Sequence, residues 1–301
     1  MRVLSAHKKP INCVAFSPDG TQLAEAAHGG DIRVWDVAAG TVRHDHLYAY
    51  GRFAKQVRLC FAPDGKALAA ANEDIVFLGL TVVHGKTIRA NYVPFSGVAY
   101  FPDGKSVVGV GERLGRYSPL TGGAFPRLKL PAPRVATCRW PACAFNRDGS
   151  RLALSRRTRK TNGSRYSETV FVYDTGADAV VAEFEWTGHP ANRLALSPDG
   201  ELVAAACGPA LRVWDVTARA LVAEKTAGAG DCLGVAYSPD GRYVATVSGD
   251  SATRFWEAGA WGEPKTFEWD AGALLDVAFS PDGATAAVSS DKGQIVLFDV
   301  D

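Results

Sequence analysis

The sequence predicts an all-β fold in which one four-stranded unit is used seven times. The first observation is a turn motif, "FSPDG" at 16–20, that returns as "FAPDG", "YFPDG", "FNRDG", "LSPDG", "YSPDG" and again "FSPDG" at 279–283. The Asp of each copy falls at 19, 64, 103, 148, 199, 240 and 282, a spacing close to the repeat of four-stranded propeller blades. The second is that strand-like runs flank every turn, and no helical periodicity of useful length appears. The third is that the ends are complementary. The last copy stops at Val300-Asp301, after its third strand, and Arg2-Val3-Leu4 precedes the first. The N-terminal strand therefore completes blade seven and closes the ring, which removes exposed sheet edges. The prediction is one domain over 1–301, a seven-bladed β-propeller of four-stranded antiparallel blades.

Each element has a local reason. An apolar strand such as Asn12–Phe16 or Asp276–Phe279 leads into the turn. There Pro fixes φ, Asp favours the next position, and Gly supplies the positive φ that re-enters a strand. The second strand is rich in small residues, as in "QLAEAA", "ALAAAN" and "LVAAAC". Alanine is a mediocre strand former, so it points to close packing on both faces. The third is β-branched and ends in an aromatic residue, often with an acid, as in Trp35-Asp36, Tyr173-Asp174, Trp214-Asp215 and Trp256-Glu257. A more variable fourth strand follows, for example Ala182–Trp186.

The stretches "IRVWDV" at 32–37 and "LRVWDV" at 211–216, each after a Ser-Pro-Asp-Gly turn, resemble the WD-repeat β-propeller family, and the likeness covers nearly the whole chain. The resemblance implies a buried His, Asp and Trp set in each blade. Here His7 and Trp35 face Gly29 at the Asp position, His189 and Trp214 face Gly208, and Asp250 and Trp256 face Gly228 at the His position. No blade is complete, so apolar packing is expected to carry the fold.

Composition bounds the function. With 47% hydrophobic residues the core is ample, and a net charge of +1 gives no global bias towards nucleic acid or disorder. The N-terminus lacks the apolar run of a signal peptide, and no stretch approaches a membrane span. A soluble, cytoplasmic chain without a membrane partner is expected. Cys13, Cys60, Cys138, Cys143, Cys207 and Cys232 show no metal or disulfide spacing and read as small buried hydrophobes.

The sequence contains no nucleophile elbow, zinc-protease helix, phosphate loop or dinucleotide fingerprint. His44-Asp45-His46 is metal-like but lacks a third ligand. Glu73, Asp74, Glu112, Asp250 and Asp291 sit in turns near the central channel, where a metal-dependent lactonase-like hydrolase would hold an ion. That is the alternative to the leading expectation, a non-catalytic scaffold without metal or cofactor.

The resemblance also implies a protein-binding face at the start of the inner strands, which by position carries Asn12, Lys55, Val57, Ser96, Arg139, Asn192, Asp231, Leu233 and Leu275. Finally, "SRRTRKTNGSRYSE" (155–168) breaks the repeat. Blade four takes 25 residues from Asp148 to Tyr173, where the other blades take 13 to 16. Arg156, Arg157, Arg159, Lys160 and Arg165 are read as a polar insertion loop, a contact arm for an acidic or phosphorylated protein or peptide. Nucleic acid ranks below these, because Tyr166 alone offers a stacking surface.

Overall fold

The computed structural model describes residues 1–5, 7–47, 57–72, 74–80, 86–88, 95–132, 138–159 and 166–300. Seven antiparallel sheets stand in a ring, each running from an inner strand outwards. Blade one shows the pattern, with Ile11–Phe16, Gln22–Ala27, Asp31–Asp36 and Thr41–Leu47 hydrogen-bonded in that order. Blade seven holds Leu274–Phe279, Thr285–Ser290 and Gln294–Asp299, and its outermost strand is Arg2–Ser5. Val3 pairs with Val296 and Leu4 with Ile295, so the expected closure by the N-terminal strand is present. Among the described residues there is no helix long and apolar enough to cross a membrane.

The turns explain why the period is so regular. In each motif the glycine adopts a φ between 65° and 77°, cheap only for a residue without a Cβ. The Asp carboxylate accepts the N–H two residues on, as at Thr21, Lys66, Lys105, Ser150, Glu201, Arg242 and Ala284. In the Ser-Pro-Asp-Gly copies the serine hydroxyl also donates to that carboxylate, as Ser238 does to Asp240 at 2.5 Å. Bonds from Ser17, Ser238 and Ser280 hold Asp19, Asp240 and Asp282 below the usual carboxylate range.

The small second strands are covered on both faces. Ala24, Ala26, Ala69, Ala70, Ala71, Ala204, Ala205 and Ala206 are fully buried. The apolar clusters lie between blades rather than within them. Ala24 and Val34 of blade one pack with Leu59 and Leu68 of blade two, and Trp35 packs with Ala287 and Leu297 of blade seven. Each blade is thus a wedge whose two faces are both interior, and larger side chains at these alanine positions would force the wedges apart.

Two blades depart from the four-strand plan. Blade three has three strands among the described residues, Phe95–Tyr100, Val107–Gly111 and Leu114–Tyr117. The segment expected to supply its outer strand contains Pro119, Pro126 and Pro131, which cannot donate to a ladder. It makes a single bridge, Tyr117 to Ala124, and then crosses to blade four. There Lys129 N–H donates to Tyr173 Oη at 3.3 Å, and Leu128 and Leu130 join the cluster around Trp140. In blade four the inner strand is split into Cys138–Arg139 and Cys143–Phe145, on either side of Pro141.

Blade one also repairs its missing aspartate. Glu25, fully buried on the second strand, accepts the Trp35 indole N–H at 3.4 Å and lies 3.1 Å from His7 Nε2. At the same register position in blade six, Thr246 accepts the Trp256 indole N–H at 3.0 Å. The indole partner comes from the neighbouring strand rather than from the turn.

Candidate protein-binding mouth of the central channel

One structural device places the candidate site. Five inner strands carry a bulge at their second residue, where the pairing skips from Ile11 to Cys13, Phe95 to Gly97, Ala191 to Arg193, Cys232 to Gly234 and Leu274 to Asp276. The skipped residues are Asn12, Ser96, Asn192, Leu233 and Leu275. A bulged residue is released from the ladder and can be re-aimed. All five line one cavity of about 250 Å³ at the channel mouth. Ser96 also donates its hydroxyl to the Trp140 carbonyl at 2.8 Å, tying blade three to blade four.

The next residue of each inner strand forms a second aligned ring. Around the ring these are Cys13, Arg58, Gly97, Ala142, Arg193, Gly234 and Asp276, aligned by their partners on the second strands. Arg58 and Arg193 line the mouth cavity and Asp276 the cavity beneath it, while Cys13 and Ala142 pack between blades. Arg193 Nε lies 3.5 Å from Asp276 Oδ1, and Asp276 Oδ2 accepts the Val14 N–H at 3.2 Å. Arg58 and Arg193 both donate to the Asn12 carbonyl. Burial, and then the neighbouring charge of Arg193, pull the Arg58 guanidinium down to about 10. Burial pushes the Cys13 thiol up to about 12, so it stays protonated.

A family model described as WD domain, G-beta repeat matches residues 1–36, 181–215, 224–257 and 263–299. These stretches fall in blades one, four, five, six and seven and include the N-terminal closing strand. The chain is a WD-repeat β-propeller.

Relatives of this propeller include human apoptotic protease-activating factor 1, 32% identical over 37% of the chain and 9% of that protein. A rice (Oryza sativa subsp. japonica) protein, small ribosomal subunit protein RACK1y, is 37% identical over 24% of the chain and 20% of its own length. The WD repeat-containing protein WDS homolog of Arabidopsis thaliana is 28% identical over 36% of the chain and 21% of its own length. The chain thus spans a fifth or less of the length of the first two.

The remaining predicted rim residues of the propeller separate from the mouth. Val57 is fully buried between blades one and two. Arg139 lies on the short Cys138–Arg139 strand, two residues before the mouth-lining Pro141, and pairs with Glu112 at 3.3 Å. Asp231 is exposed just outside the mouth, and Lys55 lies outside the described residues. Arg58, Arg193 and Asp276 are channel residues that the reading by strand starts passed over.

The basic segment is corrected more substantially. Its ends are strand, not loop, because Arg151–Arg159 pairs with Tyr166–Asp174 out to Arg159 and Tyr166. Threonine, tyrosine and serine between the charges suit a ribbon, and arginine stems lie along aromatic faces. Arg156 is 8% exposed, with its guanidinium 4.5 Å from the Phe171 ring centre and donating to the Pro131 carbonyl at 2.8 Å. Arg157 lies 3.2 Å from Glu168, which is 1% exposed, and 4.0 Å above the Tyr166 ring. Arg159 is exposed at the end of its strand, while Lys160 and Arg165 lie outside the described residues.

The chemistry-bearing residues are engaged elsewhere. Among the described residues no group of three or more His, Cys, Asp and Glu is placed to hold a metal ion. Asp45 pairs with Arg33 at 3.4 Å, and the His46 side chain lies outside the described residues, as does Glu73. Asp250 is taken by Arg254 at 2.7 Å and by the Ser248 hydroxyl.

Proposed function

We propose that this propeller is a non-catalytic interaction scaffold whose partner, a protein or peptide, docks on the channel mouth. The observation that carries the reading is the repeated bulge, which turns Asn12, Ser96, Asn192, Leu233 and Leu275 from five separate blades onto one concave face. Two leucines set among amides and a hydroxyl match the mixed surface of protein-binding patches. The relatives agree in kind, since one is named as a small ribosomal subunit protein, a component of a larger assembly. The test is affinity capture with mass spectrometry, comparing the parent chain with a Leu233→Glu, Leu275→Glu double variant. The expected result is that specific partners are lost while the melting temperature holds. Identical capture by the folded double variant would refute docking at the mouth.

A further inference from the structure

Two arginines face the channel where most blades place a small or uncharged residue. Arg58 comes from blade two and Arg193 from blade five, on opposite sides of the ring, and both guanidinium groups reach the same Asn12 carbonyl. Their nitrogens are therefore no more than two hydrogen-bond lengths apart.

The arginines are poorly served by the protein. A guanidinium has five N–H donors and forms its charge-assisted bonds at about 2.7–2.9 Å. Arg193 instead reaches Asn192 O at 3.2 Å, Asn12 O at 3.4 Å and Asp276 at 3.5 Å. Arg58 has one short bond, to the Asn12 carbonyl at 2.5 Å, and otherwise only the Val57 carbonyl at 3.5 Å, both through the same nitrogen. Among the described residues lining the mouth and the cavity beneath it, Asp276 is the only acid. One carboxylate faces two guanidinium groups, so the described lining keeps a net positive charge. Bringing like charges together in a partly desolvated space is costly without a counter-ion. The depressed Arg58 guanidinium reports the same strain. The mouth cavity of about 250 Å³ far exceeds the 10–15 Å³ that one water requires.

We propose that the channel mouth is an oxyanion-binding site, in which Arg58 and Arg193 jointly hold one carboxylate or phosphate group against the Asn12 edge. This stands independently of the scaffold reading, because the anion itself is the ligand. A negatively charged group would supply Arg193 with the short acceptor it lacks, and Arg58 with a second beside its bond to the Asn12 carbonyl.

The test is isothermal titration of the purified chain with inorganic phosphate and, separately, with acetate, in a low-salt buffer free of other oxyanions. Saturable one-to-one binding of either is expected, and the tighter of the two identifies a phosphoryl or a carboxyl group as the natural guest. Arg193→Met should weaken that binding tenfold or more. Asp276→Asn keeps an oxygen for the Val14 N–H and removes the competing charge, so it should tighten binding several-fold, a gain that misfolding cannot mimic. No saturable binding of either anion by the parent chain would overturn the proposal. So would affinity left unchanged by both substitutions in protein that keeps its circular dichroism spectrum.

Discussion

Thr246→Val isolates one buried polar contact with almost no change of shape. Thr246 is fully buried, Trp256 is 4% exposed, and the indole N–H reaches the hydroxyl at 3.0 Å. Valine keeps the volume and strand propensity of threonine but offers no acceptor. The indole N–H is then left buried and unpaired, which costs about 1–3 kcal/mol. For a chain of this size that is a fall in melting temperature of roughly 2–4 °C per kcal/mol. The assay is equilibrium unfolding in urea followed by circular dichroism, with the midpoint compared at constant slope. A double-mutant cycle supplies the control. In a Trp256→Phe background the donor is already gone, so Thr246→Val should be nearly neutral or slightly stabilising. An equal loss in both backgrounds would show that the contact contributes nothing and that packing alone sets the cost.

Deleting residues 1–6 should lower the melting temperature markedly, because it removes the ladder to Gln294–Asp299 and the burial of Leu4, worth about 1.5–3 kcal/mol by itself. The bared edge should also promote self-association in size-exclusion chromatography, and a monomer as stable as the parent would count against closure. Burial pushes the Glu168 carboxyl up from 4.5 to about 7, even against the lowering effect of Arg157. The folded state therefore holds this proton more firmly than the unfolded chain, so its contribution to stability is greatest below pH 4.5 and is lost as the pH rises to about 7. Glu168→Gln should flatten that decline in urea midpoints measured across the same range, and an unchanged pH profile would exclude Glu168 as its source.

The fold was readable because its signal is local and repeated. Pro, Asp and Gly specify one turn wherever they occur, and seven copies fix the period. The departures were hidden for different reasons. Glu25 is a charged residue in a strand, and nothing in its neighbourhood says that His7 and Trp35 converge on it. The arginines at 156 and 157 look like a solvated charge block until Trp140, Phe171 and Tyr166 come together beneath them. Among the described residues blade three lacks an outer strand, owing to prolines that the sequence shows plainly, but their effect depends on Tyr173 lying ready to receive the chain. At the mouth, strand starts located Asn12, Ser96, Asn192, Leu233 and Leu275. Counting three residues back from the aromatic, or its aliphatic counterpart, before each turn would also have found Arg58, Arg193 and Asp276. That count gives the ring of aligned positions directly.

The pairing of Arg2–Ser5 with Gln294–Asp299 has a consequence in time. The strand Arg2–Ser5 waits for a partner nearly three hundred residues further along the chain, so the ring stays open while the blades between are made. Until then Leu4 and the inter-blade face of Trp35 have no cover from blade seven. The nascent chain passes through an arc with two unfinished ends, and such contacts between distant segments are the slow ones in folding. Protection of that seam in pulse-labelled hydrogen exchange should therefore appear last, after the blades on the far side of the ring.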